Sequence, residues 1–336
     1  MILSIVTTLY RSEPTLRDFH RRASEAAFAL VGAAYEIVIV NDGSPDGSLD
    51  IGLDIAMHDP RVRLIDLSRN FGHHRALMTG IGQAKGQFVF LIDSDLEEDP
   101  AWLADFAAQM QSEQCDVVYG VQSQRKGGAF ERASGHAFYS AYRWLTGFKL
   151  PRNLLTVRLM TRRYVDALLQ HDEREMFIAG LWLLTGFAQS PRTVKKESFS
   201  PTTYSVGKKF ALVASSVASM SNRPLIGVFY LGLAVSVLSG LYIAILFLRW
   251  FWVSRPPDGW TSLIASVWLL GGLVLSCLGL VGIYLAKIFT EVKRRPYVIV
   301  RAIHQGGIFD GPEYSLLSNH GAQQKFASGG DKTHGA

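Results

Sequence analysis

Residues 88–100 read FVFLIDSDLEEDP, and this stretch decides the fold. The run Phe88–Ile92 is apolar and aromatic, has the length of a fully buried strand, and stops abruptly at Asp93-Ser94-Asp95. Ligands of open α/β sheets bind at the carboxyl ends of the strands, so the two carboxylates are predicted to face a ligand. The alternative is an acidic turn that caps a helix starting near Pro100.

Two carboxylates spaced i, i+2 across a turn can bind one divalent cation. Proteins usually hold Mg²⁺ with one or two carboxylates, and substrate phosphates and waters complete its coordination. We therefore expect Asp93 and Asp95 to be the metal ligands and the catalytic residues, with Mg²⁺ or Mn²⁺ as cofactor and a nucleotide diphosphate as ligand. His73 and His74 lack further ligands for zinc and are expected to lie near the nucleotide.

Strands and helices alternate on both sides of this stretch. Apolar strand patterns at Ile2–Tyr10, Tyr35–Val40 and Val62–Leu67 are each followed by a helical pattern, and a further strand is expected at Asp116–Val121. The alternation predicts an α/β fold with a mostly parallel sheet and helices on both faces. Because such crossovers are right-handed, the strand ends that carry Tyr10, Asp42 and Asp93 are expected to share one edge.

This edge suits a nucleotide. A nucleoside base has N–H donors that the Asp42 carboxylate could accept, and Thr8, Tyr10 and Glu13 follow the first strand, where they could flank base or ribose. The alternative for Asp42 is an Asx turn with Gly43 and Ser44. No glycine-rich dinucleotide or P-loop motif is present, so the metal is expected to hold the diphosphate.

Composition excludes other classes of protein. The 336 residues carry a net charge of +5 and are 48% hydrophobic, which is high for a soluble protein. No basic stripe interleaved with aromatics occurs, so nucleic acid is not expected as a partner, whereas anionic lipid or phosphate is. Cys115 and Cys277 lie far apart in the sequence, which favours a reducing compartment over a disulfide framework.

Two uncharged stretches predict a membrane anchor. Pro224–Leu248 and Trp260–Ala286 both exceed the roughly 20 residues that span a bilayer core. Lysines and arginines flank the pair, so the catalytic domain and both termini are expected to be cytosolic, with residues 249–259 outside. The segment Arg125–Leu150 is either an interfacial helix or a helix packed on the sheet, and Met176–Pro191 is expected to be buried or interfacial.

The predicted organisation follows the chain from the catalytic domain to the tail. A cytosolic catalytic domain (residues 1–205) is followed by a juxtamembrane amphipathic helix (206–223) and two transmembrane helices (224–286). A cytosolic post-membrane segment (287–304) and a disordered tail (305–336) complete the chain.

Several motifs resemble those of the membrane-associated family-2 glycosyltransferases, which move a sugar from a nucleotide sugar to a polyisoprenyl phosphate. They are VNDGSPD at residues 40–46, LSRNFG at 67–72, IDSDL at 92–96 and EVKRRPY at 291–297. The resemblance implies a GT-A type fold, a divalent metal on Asp93 and Asp95, inversion at the anomeric carbon and often a tetramer. It also implies a UDP- or GDP-linked sugar, undecaprenyl phosphate as acceptor and a multi-pass protein of the bacterial inner membrane.

The sequence departs from the family pattern at several positions. Thr156-Val157-Arg158-Leu159 stands where many members carry Asp-Phe-Arg-Leu, and Leu96-Glu97-Glu98 replaces the usual Leu-Gln. Thr202–Ser205 replaces Ser-Lys-Tyr, and the first strand lacks the usual Pro-x-Tyr-Asn-Glu. These departures indicate a distinct subgroup, so the identity of the sugar does not follow from the resemblance.

A lipid phosphate is already ionised at neutral pH, so its oxygen can attack without a strong general base. Five cations are candidates to hold this phosphate, namely Arg125, Lys126, Arg132, Arg158 and Lys208, and Asp172, Glu173 and Glu175 are candidates for sugar contacts. Two alternatives remain at this point. One is a membrane glycosyltransferase of the same fold that extends a glycan chain, and the other is a non-enzymatic membrane adaptor with a nucleotide-binding domain.

Overall fold

The computed structural model describes residues 2–122, 153–174, 177–195, 221–252, 259–306 and 308–310. They belong to two compact units. The first consists of Met1–Lys126, Pro151–Pro201 and Arg295–Ala336 and contains every described strand, whereas the second consists of Gly127–Leu150 and Thr202–Arg294 and contains two long helices.

The first unit begins with the predicted alternation of strands and helices. Its first half contains β1 (Leu3–Leu9), α1 (Leu16–Val31), β2 (Tyr35–Asn41), α2 (Ser48–His58), β3 (Val62–Leu67), α3 (His73–Gln83), β4 (Phe88–Leu91), α4 (Trp102–Glu113) and β5 (Val117–Gln122). The second half contains β6 (Leu154–Thr161), α5 (Arg162–Leu168), α6 (Ile178–Leu184), β7 (Gln189–Val194), β8 (Val300–Gln305) and β9 (Ile308–Asp310). The strands predicted from apolar runs agree with β1 to β5 to within two residues at each end.

The described strands form one sheet in the order β7-β5-β6-β4-β1-β2-β3-β8-β9. Its centre is parallel, since β1 pairs with both β2 and β4, and β2 pairs with β3. Two antiparallel insertions interrupt the predicted pattern: β6 lies between β4 and β5, and β8 pairs with β3. The prediction of a mostly parallel α/β sheet is thus confirmed, with antiparallel strands on both sides of the parallel core.

Helices cover both faces of the sheet, as the sequence predicts. Successive residues of β1 point to opposite faces, so that Ile5 belongs to one core cluster and Val6 to the other. The Ile5 cluster is closed by α1 and α4 through Phe19 and Phe106, whereas α3 and α5 close the Val6 cluster. All seven residues of β1 are buried, which explains why this strand reads as a continuous apolar run.

The second unit contains α7 (Arg223–Trp252) and α8 (Trp260–Val292). Among the described residues, one segment, Leu270–Val292, is long and apolar enough to cross a bilayer by length and composition, with mean hydropathy 2.0. The apolar segment found in α7, Arg223–Val235, is shorter. The second predicted span therefore has support from the structure, and the first stays a prediction.

The sheet continues beyond the point at which the sequence predicts disorder. Gln305 ends β8, and β9 pairs with it in antiparallel fashion through Ile308–Asp310. A disordered tail from residue 305 is therefore wrong for these first residues, because main-chain pairing to β3 and β8 orders them. The amphipathic helix predicted at 206–223 and the segment Arg125–Leu150 lie outside the described residues, save for 221–223.

Candidate active site

The carboxyl ends of the parallel strands meet at one edge of the sheet. The register pairs Leu9 with Asn41 and Asn41 with Asp66, and Val6 of β1 pairs with Leu91 of β4. The loops that follow these strands carry Tyr10, Asp42 and Asp93, so the prediction that these residues share an edge is confirmed.

The two carboxylates of the acidic turn Asp93-Ser94-Asp95 differ in their exposure to solvent. The Asp93 side chain is 19% exposed, whereas Asp95 is exposed and its Oδ1 accepts a hydrogen bond from the Glu97 N–H at 3.0 Å. Leu96 has φ 60°, a left-handed conformation that reverses the chain immediately after Asp95. This reversal separates the acidic turn from α4, which begins only at Trp102, so the turn does not cap that helix.

Ser94 fixes the acidic turn to the end of β1. It is 3% exposed, its hydroxyl donates to Thr8 O at 2.8 Å, and it lies 3.0 Å from Ser12 Oγ. In return, Thr15 Oγ1 donates to Ser94 O at 2.8 Å. Because three bonds hold the residue between the two carboxylates, the backbone position of both carboxylates is set by β1 and the loop after it.

His73, the first residue of α3, lies between β1 and the acidic turn. Its Nδ1 is 3.2 Å from Thr8 Oγ1, and its Nε2 is 3.5 Å from Asp93 Oδ1. When the Thr8 hydroxyl donates to Nδ1, the ring proton resides on Nε2 and faces the carboxylate. His73 thus lies beside the acidic turn, and its expected position near the nucleotide stays a prediction.

Asp93 Oδ1 is buried and accepts no hydrogen bond of standard geometry from the described residues, and its neighbour His73 Nε2 is 3.5 Å away. A buried carboxylate oxygen without a donor is costly unless a cation binds it, so the donor set of this turn fits a divalent metal. Within the described ranges, no three His, Cys, Asp or Glu side chains converge as a complete metal site. The expectation that Asp93 and Asp95 bind a metal therefore stays a prediction, which the buried Asp93 Oδ1 supports.

Asp42 is 2% exposed, and its carboxylate is occupied by backbone donors. Oδ1 accepts from Phe71 N–H at 2.7 Å and Oδ2 from Gly72 N–H at 3.1 Å. Burial raises the pKa of Asp42, and these two hydrogen bonds oppose the shift. The Asp42 carboxylate is therefore used across loops and not in the Asx turn considered for it, whereas the Ser44 N–H donates to Asn41 Oδ1 at 3.1 Å. Asp42 therefore joins two loops of the site edge.

The loop after β1 is clamped to the loop after β2. Glu13 Oε2 accepts the Gly47 N–H at 2.9 Å, and the Glu13 N–H donates to Asp46 Oδ2 at 3.3 Å. Glu13, expected to contact a nucleoside, is thus engaged in shaping the loop. Tyr10 is 49% exposed, and its ring is available to a ligand at this edge.

Arg158 differs from the expectation of a phosphate contact. Arg158 is 1% exposed. Its guanidinium packs on the Trp182 ring and donates a hydrogen bond to Thr156 O at 3.2 Å. Burial lowers the pKa of Arg158 to about 9, which still leaves it charged near neutral pH. A buried guanidinium cannot receive a phosphate from solvent, so Arg158 is a core cation in this structure.

Glu98 is a site residue that sequence reasoning missed. It is fully buried, its Oε2 accepts the Asp93 N–H and its Oε1 accepts the Val157 N–H, both at 3.4 Å. It joins the acidic turn to β6 and contributes to the charge that faces Arg158. The sequence signal was the second acid of Leu96-Glu97-Glu98, which reads as a surface departure from the family pattern.

Asp172, a candidate for sugar contacts, takes part in an ion pair close to its own position in the chain. Its carboxylate pairs with the Arg174 guanidinium at 2.7 Å, and Glu173 lies between these two residues in the sequence. The remaining candidates lie outside the described residues, namely Arg125, Lys126, Arg132, Glu175 and Lys208.

Comparison with known proteins adds to this geometry. The sequence profile of Glycosyl transferase family 2 matches residues 4–169. A protein of Mycobacterium tuberculosis (strain CDC 1551 / Oshkosh) is 47% identical over 304 residues, which cover 90% of this chain and 89% of the relative. The SfII prophage-derived bactoprenol glucosyl transferase of Shigella flexneri is 31% identical over 91% of this chain and 99% of its own length.

Among solved structures, residues 1–349 of S. aureus TarS in complex with UDP-GlcNAc align with a TM-score of 0.46 and 18% identity over 66% of each chain. The profile and the sequence relatives agree on the class of enzyme, and they rule out the non-enzymatic adaptor. The chain is a glycosyltransferase and belongs to Glycosyl transferase family 2.

Proposed function

We propose that the protein transfers a single sugar from a nucleotide sugar, UDP- or GDP-linked, to a polyisoprenyl phosphate at the cytosolic face of the bacterial inner membrane. The observation that carries the proposal is the similarity to a bactoprenol glucosyl transferase over 99% of that relative's length. The similarity thus extends beyond the family-2 profile at residues 4–169 into the part of the chain with the apolar helices. Undecaprenyl phosphate is the acceptor that this relationship favours.

Asp93 and Asp95 would hold Mg²⁺ or Mn²⁺. Asp93 Oδ1 is buried and accepts no hydrogen bond of standard geometry from the described residues, which supports this assignment. The metal would supply Lewis-acid stabilisation of the departing diphosphate, a contribution of several kcal/mol. Ser94 fixes the turn that carries both carboxylates to the end of β1 through its hydrogen bond to Thr8 O. Glu98 accepts the Asp93 N–H and so joins the same turn to β6.

The nucleoside would bind beside the acidic turn, over the loops after β1 and β2. Tyr10 provides an exposed ring there. Thr8 contributes its hydroxyl, which contacts His73 Nδ1 at the same edge. Asp42 and Glu13 contribute indirectly in the present structure, because their carboxylates hold the backbone of 71–72 and of Gly47. Each carboxylate oxygen retains a second lone pair for a base or ribose donor.

The reaction would proceed by direct displacement. An ionised phosphate oxygen of the acceptor attacks the anomeric carbon, the bond from that carbon to the diphosphate oxygen breaks, and the nucleoside diphosphate leaves with the bond electrons. The configuration at the anomeric carbon inverts. No strong general base is needed, which is compatible with Thr156 in place of a carboxylate. The proposed phosphate contacts are Arg125, Lys126, Arg132 and Lys208, and the buried Arg158 is not among them.

The sheet supports an even number of membrane crossings. β3 precedes α7 and α8 in the chain, β8 follows them, and the two strands pair along Arg63–Leu67. Strands of one sheet share one side of a membrane, so any crossings made by the intervening segment must be even in number. This argument favours α7 and α8 as a pair of spans with an outside loop at 249–259. Assembly into a homo-oligomer or tetramer stays a prediction that light scattering of the detergent-solubilised protein can test.

The deciding experiment is incubation of the purified protein with Mg²⁺, UDP- or GDP-sugars and undecaprenyl phosphate, with mass analysis of the lipid product. The proposal requires one sugar per lipid phosphate. A polymer would favour the chain-extending alternative, and absence of any glycolipid with every nucleotide sugar tested would overturn the proposal.

A further inference from the structure

A chain of polar contacts runs from β8 to the loop after β2. Arg301 Nη1 lies 3.2 Å from Asp66 Oδ2, and the other oxygen of that carboxylate accepts Asn41 Nδ2 at 2.7 Å. Asn41 Oδ1 in turn accepts the Ser44 N–H at 3.1 Å. We call Arg301, Asp66 and Asn41 the relay.

Strand pairing brings the relay together. Asn41 is opposite Asp66 in the β2–β3 ladder, and Asp66 is opposite Ala302, the neighbour of Arg301, in the β3–β8 ladder. Arg301 also donates through Nη2 to Ser68 O at 2.7 Å, which holds the guanidinium across the end of β3. Three consecutive strands of the sheet therefore each contribute one residue at the edge that carries the acidic turn.

The relay fixes an amide that would otherwise have two orientations. Asn41 and Asp66 are 2% and 4% exposed, so water does not compete effectively for their side chains. Since Asp66 accepts only, it selects the Asn41 rotamer that directs Nδ2 to β3 and Oδ1 to the Ser44 N–H. Arg301 stabilises the Asp66 carboxylate in the position that makes this selection.

The effect continues into the loop after β1. Ser44 Oγ accepts the Arg11 N–H at 2.7 Å, and Arg11 has φ 57°, a left-handed conformation that a non-glycine residue rarely adopts without support. Arg11 directly follows Tyr10, the exposed ring of the proposed nucleoside site. The last contact of the series thus orients the residue beside that ring.

We propose that Arg301, located after both long helices in the chain, is a positioning residue of the nucleotide site and acts through Asp66 and Asn41 on the loop 41–46. The inference rests on the proposed function, since it assigns β8 to the site where the nucleotide sugar binds. It makes the post-membrane strand a part of the catalytic machinery, beyond its pairing with β3.

The test is calorimetric titration of UDP and GDP, each with Mg²⁺, into the full-length protein in detergent. Arg301→Ala should raise the Kd of the bound nucleotide about fivefold to tenfold, the effect of losing one or two hydrogen bonds. Arg301→Lys should recover part of the loss, because lysine keeps a positive charge near Asp66 but cannot make the contacts with both Asp66 and Ser68 O. In turnover assays the change should appear in KM for the nucleotide sugar more than in kcat.

Gln305→Ala is the matched control. Gln305 joins β8 to the other end of β3 through Arg63 Nε at 3.1 Å, far along the ladder from the relay. Its loss should shift the melting temperature about as much as Arg301→Ala and leave nucleotide binding unchanged. In an Asn41→Ala background, Arg301→Ala should add little to Kd, because the relay is already broken.

The outcomes separate this inference from the proposed function. A wild-type protein that binds neither UDP nor GDP would overturn both. Wild-type binding with unchanged Kd in Arg301→Ala, equal losses in Gln305→Ala, or full additivity with Asn41→Ala would each overturn the relay and leave the proposed function standing.

Discussion

The Ser94 hydroxyl donates a hydrogen bond to the backbone oxygen of Thr8 at 2.8 Å, across 86 positions of sequence. This bond joins the turn after β4 to the end of β1, and it lies between the two carboxylates proposed to bind the metal. The position of the two proposed metal ligands therefore depends on the neutral, buried side chain between them.

Ser94→Ala should destabilise the protein, because it leaves the buried Thr8 carbonyl without this donor. We expect a loss of about 1–2 kcal/mol, seen as a fall in Tm of about 2–4 °C per kcal/mol. Ser24→Ala is the control, since Ser24 Oγ is buried with no hydrogen-bond partner among the described residues. Its removal should be neutral or stabilising. A Ser94→Ala protein as stable as Ser24→Ala would contradict the account.

The sequence predicts the site edge well because the signals involved are local. Apolar runs define β1 to β4, and the handedness of their crossovers brings Asp42 and Asp93 to one edge. The functions of individual carboxylates are less predictable, because they depend on loop geometry. Asp42 and Glu13 both accept backbone N–H groups of other loops, and no pattern within their own segments indicates those partners.

Distant pairing is the other part that sequence reasoning misses. β8 pairs with β3 across more than two hundred residues, as in the contact between Arg63 and Gln305. Its pattern, Val300–Gln305, is short and partly polar and follows a long apolar helix, so it reads as a cytosolic tail. Likewise, the amino-acid composition of β6 does not indicate that this strand pairs in antiparallel fashion between β4 and β5, because that pairing depends on tertiary structure.

Asp95→Asn should abolish metal-dependent transfer while the protein remains folded. A site with few protein ligands loses much of its metal affinity with one carboxylate, so we expect a fall in kcat/KM of about a hundredfold or more. Asp99→Asn is the matched control in the loop between the acidic turn and α4, where Asp99 pairs with Arg22 at 2.9 Å. Transfer at the wild-type rate by Asp95→Asn, or by the wild type in excess chelator, would disprove the metal assignment.

Asp46 makes stability depend on pH. Burial alone would raise the pKa of Asp46, but donors from Ser44, Ser48 and the Glu13 backbone outweigh it and lower the pKa to about 2. A depressed folded-state pKa adds stability above the ordinary value near 3.8, and this stability is lost as the pH falls towards 2.

Asp46→Asn should therefore lower Tm at about pH 6, with a loss of stability well under about 1 kcal/mol because solvent screens the group. This deficit should shrink as the pH falls below about 4 and disappear as the pH passes about 2. Melting curves of both proteins across this range provide the measurement. Ser44→Ala should move the transition to higher pH, since it removes one donor. A deficit that is constant across the range would contradict the assignment.

The two long helices should cross the membrane as a pair. A reporter fused after residue 336 and one inserted near Pro257 should lie on opposite sides, because β8 returns the chain to the sheet that contains β3. A fusion directly after residue 301 would interrupt β8 and is less informative. Identical sidedness of the two reporters would mean that the helices do not span as a pair.

The acceptor decides the function. If the nucleophile is an ionised lipid phosphate, the enzyme should glycosylate a polyisoprenyl phosphate, fail with the corresponding alcohol, and display no rate-limiting base that titrates near neutrality.

Removing cations at the proposed acceptor site should mainly impair use of the lipid. Arg125→Ala and Arg132→Ala should each raise KM for the polyisoprenyl phosphate more than KM for the nucleotide sugar, because a charge-assisted hydrogen bond to phosphate is lost. Arg21→Ala is the control, since its guanidinium pairs with Asp18 and Glu25 on the outside of α1. An alcohol or free oligosaccharide that is used as well as the lipid phosphate would overturn this proposal and favour the chain-extending alternative, whose acceptor is a hydroxyl group.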